Sequence, residues 1–208
     1  MIKRLLSFLI TALAAFALTG CFDVEQNYTL VNGSYIYNAV FSFRKDALAL
    51  AEITADSLRN DLLEGEAYEE LKEKFDDISV TEDEKNAFIS LTETLADTSS
   101  ELPSVTDEKI SIQFKNDTAG ESITGIRHKM DSDPEYKAMA DILFAESLWK
   151  INIDKAITET VSAARLTDDE GRSVEVPVQE KESCFMICFP MLTFLDSELL
   201  FTGIEIYR

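Results

Sequence analysis

Residues 22–43 read FDVEQNYTLVNGSYIYNAVFSF, and this stretch decides the fold. Two runs rich in aromatic and β-branched residues, 22–30 and 34–43, lie on either side of Asn32-Gly33. An Asn-Gly pair between such runs is a strong hairpin signal, because both residues tolerate a positive φ. The stretch therefore predicts two antiparallel strands joined by a tight turn.

The second of these strands is predicted to have one strongly aromatic face. Because side chains alternate along a strand, that face carries Tyr35, Tyr37, Ala39, Phe41 and Phe43. We expect this face to pack on the core. Its four aromatic residues are also the candidate face for a ligand or a partner.

Residues 1–20 have the pattern of an export signal. Lys3 and Arg4 give a cationic start, an apolar run follows over 5–18, and small residues end the segment. The run is shorter than the roughly 20 apolar residues that a transmembrane helix needs. An uncleaved signal anchor and an ordinary secretory signal are the alternatives that share these features.

The end of that segment, Leu18-Thr19-Gly20-Cys21, resembles the lipobox of bacterial lipoproteins. The resemblance implies cleavage between Gly20 and Cys21, and a lipidated Cys21 as the first residue of the mature chain. The next residue is Phe22 rather than Asp. In bacteria with an outer membrane, the resemblance then implies the periplasmic face of the outer membrane.

The charge of the chain limits its partners. The whole sequence has a formal net charge of −20, and removing Lys3 and Arg4 with the signal changes this to −22. Phosphate backbones and anionic lipid headgroups repel such a surface, so we expect no nucleic-acid partner and a membrane contact that depends on the lipid. One acyl chain binds membranes only marginally, and the modification implied by the lipobox supplies more than one.

The order of the predicted elements indicates an α+β fold. Helical spacing predicts helices over 44–64, over 66–75 and from Thr81 through Leu95, the last opened by a Thr81-Glu82-Asp83-Glu84 capping box. Later elements are a strand over 109–114, a helix capped at Ser132 or Asp133, and strands over 149–153, 158–166, 174–178, 184–194 and 200–207. Regular strand–helix alternation is missing. We therefore predict one α+β domain over 21–208, with a mainly antiparallel sheet of N-terminal hairpin and C-terminal strands and with inserted helices.

The most apolar stretch of the mature chain, CFMICFPMLTFL over 184–195, contains the two remaining cysteines. If it is a strand, Cys184 and Cys188 lie on one face about 13 Å apart and stay as buried thiols. A bulge, turn or helical bend would let them form a disulfide in an oxidising compartment. The stretch is predicted to be a buried central strand with a bulge at Pro190. The alternative is an exposed hydrophobic lip that touches lipid or a partner.

The motifs of common enzymes are missing from the sequence. His128 is the only histidine and has basic neighbours, which favours an exposed surface residue over a catalytic one. Asp131-Ser132-Asp133 begins like a calcium loop but lacks the sixth-position glycine and the twelfth-position glutamate. We therefore predict no catalytic residues, no metal and no cofactor.

The late part of the chain is similar to LppM-type lipoproteins. The similarity runs from Trp149 through Asp168-Asp169-Glu170-Gly171 to the apolar stretch, and those lipoproteins also begin with a hairpin beside the lipidated cysteine. It implies a non-enzymatic lipoprotein of the cell envelope and assigns no residue a role.

Three functions follow from the sequence. The leading one is a lipid-anchored, non-enzymatic envelope protein that acts through an envelope partner or as a structural accessory. The alternative is a binding module that holds a small apolar or lipid ligand between the aromatic hairpin face and the helices. The third is an envelope hydrolase built from scattered carboxylates or serines.

The lipid anchor gives the first testable prediction. Cys21→Ala removes the sulfur that would carry the lipid, so the N-terminal peptide should lose the mass of the modification and the protein should leave the membrane fraction. Mass spectrometry of that peptide and fractionation of envelopes measure the two effects. An unchanged peptide mass and unchanged membrane association would contradict lipidation at Cys21.

Overall fold

The computed structural model describes residues 22–50, 52–65, 67–97, 99, 102–114, 128, 130–196 and 201–208. Strands make up 50% of the structure and helices 21%, arranged as two mostly antiparallel sheets with a few short helices. The fold is broadly α+β, as predicted. Gly20 and Cys21 lie outside the described residues.

The strands and helices are short. The strands are β1 Phe22–Val31, β2 Ser34–Arg44, β3 Asp77–Glu82, β4 Asn86–Leu95, β5 Ser104–Val105, β6 Lys109–Gln113, β7 Leu148–Asp154, β8 Ala163–Asp168, β9 Ser173–Val176, β10 Val178–Glu180, β11 Cys184–Pro190 and β12 Phe201–Tyr207. The helices are α1 Lys45–Leu50, α2 Ala55–Leu63, α3 Ala67–Lys72, α4 Pro134–Phe144 and α5 Leu192–Asp196. No helix in this described part of the chain is long and apolar enough to cross a membrane.

The larger sheet has seven strands in the order β10-β11-β7-β1-β2-β4-β3, and the smaller has five in the order β5-β6-β12-β8-β9. In the larger sheet β1 pairs with β7 in parallel, with Val24 opposite Trp149 and Tyr28 opposite Ile153. The other ladders of both sheets are antiparallel. The prediction of mainly antiparallel pairing is therefore confirmed. The prediction of a single sheet is wrong, because β8, β9 and β12 pair with β5 and β6 in a second sheet, and the larger sheet contains one parallel pair.

The predicted hairpin is confirmed. β1 and β2 pair in register from Phe22 opposite Phe43 to Val31 opposite Ser34. Asn32 has φ 51° and Gly33 has φ 85°, the two positive values that a primed two-residue turn needs.

The helices between β2 and β3 are shorter than predicted. The helix predicted over 44–64 is two helices, α1 and α2, because Glu52 takes φ 59° between them. Thr54 then caps α2: its side chain accepts the N–H of Ser57, and the Ser57 side chain accepts the N–H of Thr54. The predicted 66–75 helix is confined to α3.

The third predicted helix, from Thr81 through Leu95, is wrong. This stretch forms the end of β3 and all of β4. Asp83 Oδ1 accepts the backbone N–H groups of Lys85 at 2.7 Å and Asn86 at 2.6 Å, so the acidic stretch closes a hairpin turn rather than capping a helix.

The C-terminal half follows the prediction more closely. Asp133 caps α4 by accepting the N–H groups of Glu135 and Tyr136, as expected. All five predicted strand regions form strands, namely β7, β8, β9, β11 and β12. Two of these strands are shifted or shortened: β8 begins at Ala163, and β11 ends at Pro190.

The core lies on one face of the larger sheet, which we call the inner face. Helices α1–α3 pack beside β2 and β3, Phe144 of α4 packs edge-on against Phe22, and Phe114, which follows β6, contacts Trp149 of β7. The smaller sheet turns its buried isoleucines to the same core: Ile110, Ile112, Ile204 and Ile206. The other face of the larger sheet, which we call the open face, carries no buried residue among those described.

The Asn32-Gly33 turn gives a prediction for stability. Gly33 has φ 85° and an added Cβ would meet nothing within 4 Å, so only the backbone conformation penalises a side chain there. Gly33→Val should lower the free energy of unfolding by about 1–2 kcal/mol, since a left-handed conformation costs an L residue about that much. Urea unfolding followed by the fluorescence of Trp149 measures it.

Asn32→Gly is the matched control, because glycine accepts the same positive φ, and we expect a change below about 0.5 kcal/mol for it. An unchanged unfolding midpoint for Gly33→Val would contradict the primed turn.

Candidate functional site

The predicted aromatic face belongs to the core. Tyr37 and Phe43 are buried, and Tyr35 and Phe41 are half-buried and pack against the core cluster. Two of these rings contact rings of β1: Tyr37 and Tyr28 have centroids 5.2 Å apart, and Phe43 stacks on Phe22 at 6.2 Å. The chain itself thus covers most of this face.

One line of polar groups crosses the inner face between these rings. Trp149 Nε1 donates to Gln26 Oε1 at 3.0 Å, and Gln26 Nε2 donates to the hydroxyl of Tyr37 at 2.9 Å. The line joins β7, β1 and β2 and gives hydrogen-bond partners to the buried Trp149 and Tyr37 side chains.

Cys184 and Cys188 lie on β11 as free cysteines. Both are on the open face and are half-buried rather than buried, whereas Phe185, Ile187 and Phe189 point to the core and are buried. The strand geometry therefore matches the prediction of two thiols on one side. The prediction of a central strand with a bulge at Pro190 is wrong, because β11 is next to the edge of its sheet and pairs with β7 in unbroken register to Pro190. Its inward side chains are packed rather than exposed as a lip.

The remaining predicted sites carry no assembled chemistry. His128 is exposed, as expected. Within the described ranges there is no group of three or more histidine, cysteine or carboxylate side chains arranged to hold a metal ion.

The open face carries a continuous polar network that the sequence did not predict. Asn152 of β7, Asn27 of β1 and Asn38 of β2 lie directly opposite one another across neighbouring strands, and we call them the asparagine row. Asn152 Nδ2 donates to Asn27 Oδ1 at 2.8 Å, and Asn27 Nδ2 donates to Asn38 Oδ1 at 3.3 Å. The three amides point the same way, so each bond polarises the next.

Hydroxyl groups extend the asparagine row onto β4. Asn38 Nδ2 donates to Ser90 Oγ at 2.8 Å and to Thr92 Oγ1 at 3.0 Å. Since these oxygens accept from Asn38, the hydroxyl protons of both residues are left to donate elsewhere.

Charged groups flank the row on β1 and β7. Lys150 Nζ donates to Asp23 Oδ2 at 2.8 Å, and Asn152 Nδ2 also donates to Glu25 Oε1 at 2.8 Å. Burial lowers the pKa of Lys150, but the hydrogen bond and charge of Asp23, together with the charge of Glu25, outweigh it and raise the pKa above its usual value. Lys150 therefore stays charged at neutral pH.

The thiol of Cys188 responds to the same charges. It lies opposite Lys150 across β11 and β7. Burial raises its pKa, the Lys150 ammonium opposes this, and the Asp23 carboxylate adds to the increase. The thiol is therefore mostly protonated at neutral pH and is a poor nucleophile.

The arrangement is suited to binding rather than to bond breaking. The open face offers hydroxyl donors on β4 and carboxylate acceptors on β1, held in place by a sheet. Amides, hydroxyls and paired charges held by the hydrogen-bonded strands of a sheet can match the polar groups of another macromolecule.

A weak signal for this face exists in the sequence. Asp23 and Glu25 alternate with apolar Phe22 and Val24, a pattern that Gln26 interrupts before Asn27, and Lys150 and Asn152 alternate with apolar residues of β7. That pattern predicts a polar face for each strand, but it does not say that the two strands lie side by side.

Comparisons with known proteins give no relative: no family model, no curated protein and no solved structure matches this chain.

The electrostatics of Cys188 give a prediction. In a Cys184→Ser chain, Lys150→Met should make alkylation of Cys188 at pH 8 several-fold slower, because loss of the ammonium raises the thiol pKa further. Asp23→Asn should make it faster, because loss of the carboxylate lowers that pKa. The rate of iodoacetamide labelling as a function of pH measures both.

Lys155→Met is the matched control, since Lys155 pairs with Glu180 at 2.7 Å and lies opposite none of these groups. A rate profile unchanged by Lys150→Met would contradict the placement of Lys150 beside Cys188.

Proposed function

We propose that the chain is a lipid-anchored, non-enzymatic lipoprotein of the cell envelope that binds another envelope component through its open face. One observation carries this proposal: β1 begins at Phe22, the residue directly after the predicted lipid attachment site Cys21. In a host with two membranes, we place the protein at the periplasmic face of the outer membrane.

The position of β1 supports anchoring because it makes the anchor part of the fold. β1 is the fourth of seven strands in the larger sheet, so the lipid would hold the centre of the sheet and not a loose tail. A protein held in this way can contact only what lies close to the membrane surface.

The network on the open face supports a binding role over catalysis. Its charged groups are already paired: Asp23 accepts from Lys150 and from the backbone N–H of Leu148, and Glu25 accepts from Asn152. A general acid or base must exchange a proton with a substrate and have a pKa near the working pH. The pKa of Lys150 is moved in the opposite direction, away from neutrality.

The dimensions of the open face fit a transient contact. Six neighbouring strands, from β11 to β3, spaced about 4.8 Å apart give a width of about 24 Å, and eight residues of strand give a length of about 26 Å. The resulting area of roughly 600 Å² is close to one partner's share of a small interface. A mixed polar surface of this size favours a partner that binds and dissociates.

A small apolar or lipid ligand held against the aromatic face is less well supported. Tyr37 and Phe43 are already buried against Tyr28 and Phe22 of the same chain, so a ligand would have to displace those contacts.

Cross-linking of intact envelopes tests the proposal. Wild-type protein should capture a reproducible partner. Asn38→Arg should reduce the captured amount about tenfold, which corresponds to a loss of about 1.4 kcal/mol of binding free energy. Asn38 is half-buried within the network, so Thr94→Arg, an exposed position on the same face, serves as a second variant that leaves the asparagine row intact.

Ser173→Arg is the control, because it adds the same charge on exposed β9 of the smaller sheet. Binding through the open face would be contradicted if all three variants reduced the captured amount equally, or if none of them reduced it.

A further inference from the structure

We propose that one end of the larger sheet rests on the lipid surface, so that the sheet stands upright on the membrane. This end, which we call the Phe22 end, consists of Phe22, Arg44–Asp46, Asp83–Lys85 and Pro190–Leu192. The opposite end carries the Asn32-Gly33 turn. The inference rests on the proposed lipidation of Cys21.

The connection between anchor and fold is rigid. Phe22 is only 6% exposed and packs between Phe43 and Phe144. The next residue, Asp23, accepts the backbone N–H of Leu148 at 3.0 Å and the ammonium of Lys150 at 2.8 Å. The residue directly after the proposed lipid attachment is therefore already part of the packed core.

The strand pairing determines what lies beside the anchor. The end of β2 lies next to Phe22, since Phe43 is its partner, and Lys45 donates its backbone N–H to Lys85 of the β3–β4 turn at 2.8 Å. On the other side of β1, Leu148 lies opposite Pro190 at the end of β11. These segments lie at the same end of the sheet as Phe22. All of them are within reach of lipid headgroups once Cys21 is in the membrane.

The charge distribution favours this end as the contact. The Phe22 end, counted with the adjoining Glu82 and Glu146, carries only a small net negative charge, with Arg44, Lys45 and Lys85 against Asp46, Glu82, Asp83, Glu84 and Glu146. Arg44 pairs with Asp46, and Lys45 pairs with Glu82 at 2.8 Å. The mature chain as a whole has a formal net charge of −22, which is the −20 of the full sequence without Lys3 and Arg4. Lying flat would bring that acidity against the headgroups, whereas standing upright keeps it away.

The upright position separates the two ends of the sheet by the length of β1. Its 10 residues extend from Phe22 to Val31. At about 3.3 Å per residue, the Asn32-Gly33 turn lies about 30 Å above the Phe22 end. The open face then stands perpendicular to the membrane, accessible to a partner from the side.

Fluorescence energy transfer to headgroup acceptors measures these heights. The lipidated full chain carries Cys184→Ser and Cys188→Ser, so that a single introduced cysteine takes the fluorescent label. That cysteine is Glu84→Cys at the Phe22 end or Ser34→Cys beside the Asn32-Gly33 turn at the opposite end. It is reconstituted at low density in phosphatidylcholine vesicles. We expect strong transfer from position 84 and weak transfer from position 34, with a height difference of about 30 Å.

A ten-residue Gly-Ser insertion between Cys21 and Phe22 is the control. Such a linker has an end-to-end distance of about 17 Å, so it should keep the protein on the vesicles and abolish most of the height difference. If the insertion leaves the difference unchanged, the rigid connection is wrong.

The remaining outcomes separate the two proposals. Equal transfer from both labels on protein that floats with the vesicles would overturn the upright position and leave lipidation standing. Protein that does not float would overturn lipidation and the upright position together. A height difference seen only at high density of the protein on the vesicles would mean that the Phe22 end contacts a second copy of the chain. That result would overturn the contact with lipid.

Discussion

The pairing of β1 with two partners is the interaction on which the rest of the structure depends. β1 forms an antiparallel ladder with β2, which is local, and a parallel ladder with β7, which joins residues more than 120 positions apart. The second ladder brings the C-terminal strands β7, β11 and β10 into the same sheet as the N-terminal hairpin. Without it, the N-terminal hairpin and the strands β7, β11 and β10 would share no sheet.

The alternation of side chains along β1 couples the core to the surface. Phe22, Val24 and Tyr28 point inward and are buried, while Glu25 and Asn27 between them belong to the open face. A slip of one residue in either ladder would exchange the two sets. The same register that buries the aromatic residues therefore also aligns the asparagine row, so the stability of the domain and the chemistry of its open face cannot vary independently.

Local chemistry made part of the fold predictable. The Asn32-Gly33 turn and the Asp133 cap depend on neighbouring residues only, so the sequence predicts both. The helix predicted around Leu91 is wrong, because Phe88, Leu91 and Leu95 fit a helical period whereas β4 buries alternate residues from Ala87 to Leu91. The open face could not be predicted, because its row joins Asn27 to Asn152 through a parallel pairing that no local pattern specifies.

The central claim is that β1 is the rigid centre of the domain and begins beside the lipid anchor. Hydrogen exchange of the lipidated protein tests it directly, because a central strand exchanges only when the whole domain unfolds. The account predicts that the amides of β1 from Val24 to Tyr28 exchange as slowly as those of Ile151 in β7. Exchange of these β1 amides as fast as that of the Asn32-Gly33 turn would contradict it.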